Sequence, residues 1–277
     1  MPTVTSADGT TIAYETTGTG PALIVVDGAM CHRDFGPARA IAKALADTYT
    51  VHTYDRRGRG ASGNTPPWSA QREIDDLAAL IAAAGGHTYL FGTSSGAVLA
   101  ADAAARLTGV HAVALYEPPF IVDDTRPPRE DTFTADTEAL LARGDRSGAL
   151  KKFMKHVGMP TLMVNVMALT PAWKKLKAVA PTLPYDLHIL GDTGRGVPLD
   201  PARWAGVTMP ALVMDGGKSP AYMRNAARAW SETLPNADYR TLPGQTHMVR
   251  AAVIAPEIKR FLSAAGRTSD TETRRAE

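Results

Sequence analysis

Cysteine is almost missing from this chain: Cys31 is the only one, which excludes an internal disulfide framework and leaves secretion without support. With no activating partner near it in sequence, Cys31 reads as a small buried or half-buried residue, not a nucleophile. Net charge is missing too, since 30 Lys and Arg stand against 28 Asp and Glu. No basic cluster is long enough to track a phosphate backbone, so nucleic acid is not an expected partner, and the substrate is expected to be small and not strongly charged. No apolar run reaches membrane-spanning length. The stretch Met1 to Asp8 has neither the basic start nor the apolar segment of a secretory leader. These absences predict a cytoplasmic protein with no membrane partner. What is present is 277 residues of ordinary apolar content, which fits two small domains as well as one large α/β domain with an insertion, the single core being the default expectation.

The chain is organised around Tyr89-Leu90-Phe91-Gly92-Thr93-Ser94-Ser95-Gly96-Ala97-Val98-Leu99-Ala100, which reads as strand, sharp turn and helix. A serine hydroxyl is a poor nucleophile unless it is exposed, rigidly held and next to a base. Glycine at 92 and 96 keeps side chains out of the way where strand and helix pass closely, so the Ser94 hydroxyl projects from the sheet edge. The N–H of Ser95, opening the helix, points at developing negative charge. The glycine-bracketed pentapeptide recurs by chance; its strand–turn–helix setting carries the reading.

Residues 2 to 17 read as a hairpin turning at Asp8-Gly9. Ala22 to Val26 is a continuous apolar strand of the kind buried on both faces. It runs into Asp27-Gly28-Ala29-Met30, whose free N–H groups can form the second half of an oxyanion hole with Ser95. After a helix over 35 to 47, the strand Tyr49 to Tyr54 leads into Asp55-Arg56-Arg57-Gly58-Arg59-Gly60-Ala61-Ser62-Gly63. Its G-x-G-x-x-G pattern is not read as a dinucleotide site, because Asn64-Thr65-Pro66-Pro67 follows where a helix must open. Residues 69 to 84 form an amphipathic helix on which Asp75 and Asp76 read as a solvated face or a helix-start charge. A helix follows the serine turn to about 107, and Val110 to Tyr116 is the next strand.

This succession around a serine turn resembles the α/β-hydrolase superfamily. The Asp55-x-Arg57-Gly58-x-Gly60-x-Ser62 loop is similar to that family's loop after its fourth strand, Gly28 matches its oxyanion-loop glycine, and His247 sits near the end. The resemblance covers residues 1 to 120 and 208 to 263. It implies an α/β fold with a mostly parallel eight-stranded sheet flanked by helices, the nucleophile on Ser94, and oxyanion donors on the backbone of Ala29 and Ser95. It implies a core of residues 1–117 and 208–264, a helical cap over 118–207, and a tail over 265–277 that is read as disordered for want of apolar residues. Asp27 departs from the family, standing where many members carry histidine.

Residues 118 to 207 show no sheet strand but helical stretches at 129 to 143, 146 to 157, 160 to 169 and 171 to 180. Met154, Met159, Met163 and Met167, with Leu162, Val166 and Trp173, give a soft apolar surface suited either to a bulky hydrophobic ligand or to ordinary packing of cap on body. Met30, Met154, Met163 and Met167 are the candidate pocket residues. Lys151, Lys152, Lys155, Lys174, Lys175 and Lys177 read as the outer solvated face. Strand 211 to 215, helix 221 to 234 and strand 238 to 242 then lead to Pro243-Gly244-Gln245-Thr246-His247, which delivers a histidine before a last helix over 249 to 263.

A triad needs a carboxylate to hold the histidine. In most members of the resembled family an aspartate follows the seventh strand, but here the run is Gly216-Gly217-Lys218-Ser219, and serine cannot carry the charge. Glu117, directly after the strand beside the serine strand, is the preferred replacement, with Asp215 the alternative. Certain haloalkane dehalogenases of the superfamily are similar in placing their acid there. The chemistry this implies is acyl transfer by Ser94, His247 and Glu117 on an ester, lactone or thioester of a small hydrophobic compound, with no cofactor and no metal. A serine nucleophile argues against dehalogenase or epoxide hydrolase chemistry. Lyase, cyclase or carbon–carbon bond-cleaving members and a degenerate ligand-binding member stay open as alternatives. The sequence does not address the oligomeric state.

Overall fold

The apolar run Ala22–Val26 (β3) is buried because it pairs in parallel on both sides, with Thr50–Tyr54 (β4) and Thr88–Thr93 (β5). The antiparallel hairpin Thr3–Thr5 (β1) and Thr11–Thr17 (β2) extends the sheet beyond β4. Val110–Tyr116 (β6), Ala211–Gly216 (β7) and Ala237–Leu242 (β8) extend it in parallel beyond β5. In this computed structural model, which describes residues 1–276 in backbone and 1–267 in side chain, the order is β1-β2-β4-β3-β5-β6-β7-β8. The period-two alternation of the strands sends their side chains to two separate cores. Ile24, Val26, Leu90, Val113, Leu115 and Val213 pack against the helices Ala70–Ala83 (α2), Ser95–Ala104 (α3) and Ala221–Thr233 (α9). Leu23, Val25, Phe91, Ala114 and Met214 pack on the other face against Ala38–Leu45 (α1) and Ala251–Ala276 (α10). Among the described residues no helix is long and apolar enough to cross a membrane.

Between β6 and β7 the chain leaves the sheet and folds as helices: Phe133–Ala142 (α4), Arg146–His156 (α5), Thr161–Met167 (α6), Ala172–Val179 (α7) and Leu183–Leu190 (α8). They close a third core of Phe133, Leu150, Phe153, Met154, Trp173, Leu176, Leu183 and Leu187, against which Ala29 and Met30 of the loop after β3 also pack. Helix α8 is absent from the sequence reading. Pro184 looks like a breaker there, but it occupies the first turn, where its missing N–H has no intrahelical acceptor to lose.

Two expectations need correction. Asp76 does not belong to a solvated face: it is 1% exposed and grips the Arg57 guanidinium at both oxygens, Nη2–Oδ1 2.6 Å and Nε–Oδ2 2.8 Å. The cause is that α2 packs onto the loop after β4, where Arg56, Arg57 and Arg59 are all buried and need carboxylates. The expected tail over 265–277 also begins too early, because Ala265 is packed in the same core as Leu262. The rest of it, from residue 268, lies outside the residues whose side chains are described.

Candidate active site

At the carboxyl end of β5 the chain turns straight into α3, and Ser94 at the corner takes φ 56° and ψ −129°. That conformation costs a non-glycine residue roughly 1–3 kcal/mol, so the surroundings must enforce it. They do: Ser94 N–H donates to the Tyr116 carbonyl at 2.9 Å, and α3 behind it is buried along its whole length. Two glycines let the loop after β3 lie directly on the turn. A Cβ on Gly96 would stand 2.3 Å from the Val26 carbonyl oxygen, and one on Gly28 would stand 2.9 Å from Ser94 Cβ. The N–H of Ser95 opens α3, where the helix end is electropositive. Among the described residues no protein acceptor engages the N–H of Ala29 or that of Ser95.

Glu117 directly follows β6, with its own positive φ of 46°. Its N–H donates to the Met214 carbonyl at 3.0 Å, which pins the residue to the end of β7. The carboxylate is 0% exposed and fully engaged: Oε1 accepts from Gly216 N–H at 2.7 Å, and Oε2 lies 2.8 Å from His247 Nδ1. His247 stands on the loop after β8, which is held from below where the Tyr116 hydroxyl donates to the Thr246 carbonyl at 2.6 Å. With Nδ1–H given to the carboxylate, the Nε2 lone pair is left to accept a proton. The structure thus brings Glu117 and His247 together, while Ser94 Oγ and His247 Nε2 do not close a hydrogen bond. Asp215 is turned away: its Oδ2 accepts from the Tyr239 hydroxyl, its Oδ1 has no partner, and burial raises its pKa. Ser219 is buried with an unpartnered hydroxyl.

On the loop after β3 lies Asp27, 2% exposed and with neither carboxylate oxygen hydrogen-bonded. Burial pushes its pKa up to about 7, against the pull of Arg59 and Arg56. Burial, with Asp27 adding to it, pushes the Cys31 thiol up to about 12, so Cys31 is no thiolate nucleophile. Arg56 and Arg59 escaped the sequence reading as site residues. Arg59 donates to the Gly28 carbonyl at 2.8 Å, and Arg56 to the Asp27 carbonyl at 3.3 Å. Three arginines in four residues, followed by Glu73 and Asp76 on an otherwise apolar helix face, was the available signal.

Of the methionines, Met154 is buried in the core of the helical insertion, and Met30 and Met167 pack partly buried against it. Met163 does not join them and is 55% exposed. Helix α6 is so short that only Val164 is fully buried, with Met167 partly buried beside it. Among the described residues no group of three or more His, Cys, Asp and Glu side chains is gathered to hold a metal ion.

An α/β hydrolase of known structure from Sphaerobacter thermophilus is 46% identical over 94% of this chain and 100% of its own, with a TM-score of 0.86. The enol-lactonase of Burkholderia xenovorans shares the fold at 19% identity, with a TM-score of 0.69 over 95% of this chain and 100% of that one. A Bacillus subtilis protein named uncharacterized hydrolase YraK is 35% identical over 115 residues, 40% of this chain and 42% of that relative's length. The strand order, the serine turn and the histidine loop agree with a match of residues 23–256 to the Alpha/beta hydrolase family, and this chain is a member of that family.

Proposed function

We propose that the protein is a serine hydrolase that cleaves a carboxylic ester, lactone or thioester of a small hydrophobic compound through an acyl-enzyme. His247 Nε2 takes the proton of Ser94 as Oγ attacks the carbonyl carbon. The N–H groups of Ala29 and Ser95 receive the oxyanion, and His247 returns the proton to the leaving group. Water, deprotonated by the same histidine, then releases the acid. Glu117 fixes the histidine tautomer and stabilises the imidazolium. The chain supplies every group this acyl transfer needs, so no cofactor takes part. Residues 118–207 act as a cap that selects the substrate without doing chemistry, with Met167 on its apolar side next to Met30 of the loop after β3.

The observation that carries this reading is the 2.8 Å contact of Glu117 with His247, at the sheet edge where the strained Ser94 turn also lies. Labelling with a fluorophosphonate probe tests it: the probe should modify Ser94 in the wild type and nothing in Ser94→Ala. A folded wild-type protein that neither labels nor turns over aryl esters would sink the proposal in favour of a ligand-binding member of the family.

A further inference from the structure

Asp186 lies on α8 of the helical insertion and is 1% exposed, yet the groups it holds belong to the body beneath. Its Oδ1 accepts from the Ser95 hydroxyl at 2.7 Å and from Arg56 Nη1 at 2.6 Å, and its Oδ2 accepts from Arg59 Nη2 at 2.6 Å. Burial alone would keep the carboxyl protonated, but Arg59 and Arg56 outweigh it and hold the pKa below the usual carboxylate range. Arg56 has a second carboxylate, Glu73, at 2.7 Å. Among the described residues Arg59 has Asp186 alone.

These contacts bear on the oxyanion hole through peptide geometry. Arg59 Nη1 donates to the Gly28 carbonyl at 2.8 Å and to the Cys31 carbonyl at 3.3 Å. The Gly28 carbonyl and the Ala29 N–H belong to one planar trans peptide and point in opposite directions, so gripping the oxygen aims the N–H. Ser95, which supplies the other N–H, is tied by its own hydroxyl to the same carboxylate. We infer that Asp186 is the positioning residue of the oxyanion hole, its carboxylate orienting the Ala29 N–H through Arg59 and the Ser95 N–H through the Ser95 hydroxyl. The insertion therefore completes the catalytic site of the body as well as covering it. This inference rests on the hydrolase reading above.

The test compares Asp186→Asn and Ser95→Ala with the wild type by aryl ester kinetics per fluorophosphonate-titrated site and by inhibition with a trifluoromethyl ketone, whose Ser94 adduct places an oxyanion in the hole. Losing one direct oxyanion donor costs about 100- to 1000-fold in kcat. Displacing two donors without removing them should lower kcat about 30- to 100-fold in Asp186→Asn and about 3- to 10-fold in Ser95→Ala, which keeps its N–H. Ketone affinity should fall by the same factors, with KM within about twofold. A tether that merely holds the insertion down would lower the melting temperature and leave kcat per titrated site and ketone affinity unchanged; that result overturns the inference. If Asp186→Asn does not fold, Ser95→Ala decides alone, wild-type values there being the contrary result. A wild type without labelling or turnover would overturn the hydrolase reading itself, and this inference with it.

Discussion

Glu117 Oε2 and His247 Nδ1 meet at 2.8 Å across 130 residues of chain. The contact exists because β6 and β8 flank β7 in one parallel sheet and end at the same edge. Glu117 reaches over the end of β7, spending its other oxygen on the Gly216 N–H. The turn at 216–219, where the family's aspartate usually stands, holds no carboxylate, and Asp215 just before it is buried and differently engaged. The carboxylate that holds His247 therefore stands one strand nearer to the serine.

Gly28→Ala should damage catalysis more than folding. The added Cβ would stand 2.9 Å from Ser94 Cβ and 3.1 Å from the Thr93 carbonyl oxygen, so either the loop after β3 or the serine must move. A misplacement of about 1 Å costs on the order of a hundredfold in rate. Steady-state kinetics beside a thermal melt checks this; a variant with wild-type kcat would mean that the loop and Ser94 need not lie so close.

Asp27 makes stability depend on pH. The unfolded carboxyl ionises near 3.8, whereas the folded one keeps its proton to about 7. Between those values the folded state binds more protons than the unfolded, so stability falls as pH rises through the window, by on the order of 4 kcal/mol in all. Asp27→Asn removes that charge. It should melt several degrees above the wild type at pH 8, with the gap shrinking to roughly a third of that at pH 5, closer to the unfolded pKa. Equal melting differences at both pH values would show that Asp27 is ionised throughout.

The apolar side of the insertion should discriminate between acyl groups. Met167, partly buried against the core shared with Met30, is expected to matter for bulky chains, and its change to Ala should raise their KM several-fold while acetyl esters are unaffected. Met163, 55% exposed, should have little effect. Met154→Ala, in the packed core, should instead destabilise by about 2–5 kcal/mol. Equal KM changes for acetyl and bulky esters in Met167→Ala would reduce this surface to plain packing.

The sheet was legible in the sequence because its strands are short apolar runs ending at glycine or charge: Ala22–Val26 and Val110–Tyr116 coincide with the expected bounds. Glu117 could be named because a missing carboxylate at Ser219 sends attention to the neighbouring strand end. Asp186 could not be named. Its partners Ser95, Arg56 and Arg59 lie 91 to 130 residues away, and the proline two residues before it hid the helix it stands on. Asp76 and Met163 failed for one shared reason: a helix has more than one face, and which of them meets other residues is decided by what packs on it.

Whether Glu117 holds His247 for a Ser94 nucleophile is decided by comparing kcat in Glu117→Gln and Asp215→Asn on one aryl ester. Replacing the orienting acid by its amide permits the wrong tautomer and should cost about ten-thousandfold in kcat, with KM and the fold nearly unchanged. Asp215→Asn should stay within about threefold of the wild type, as expected of a group outside the catalytic unit. A Glu117→Gln enzyme of near wild-type kcat, or a larger loss in Asp215→Asn than in Glu117→Gln, would contradict the assignment.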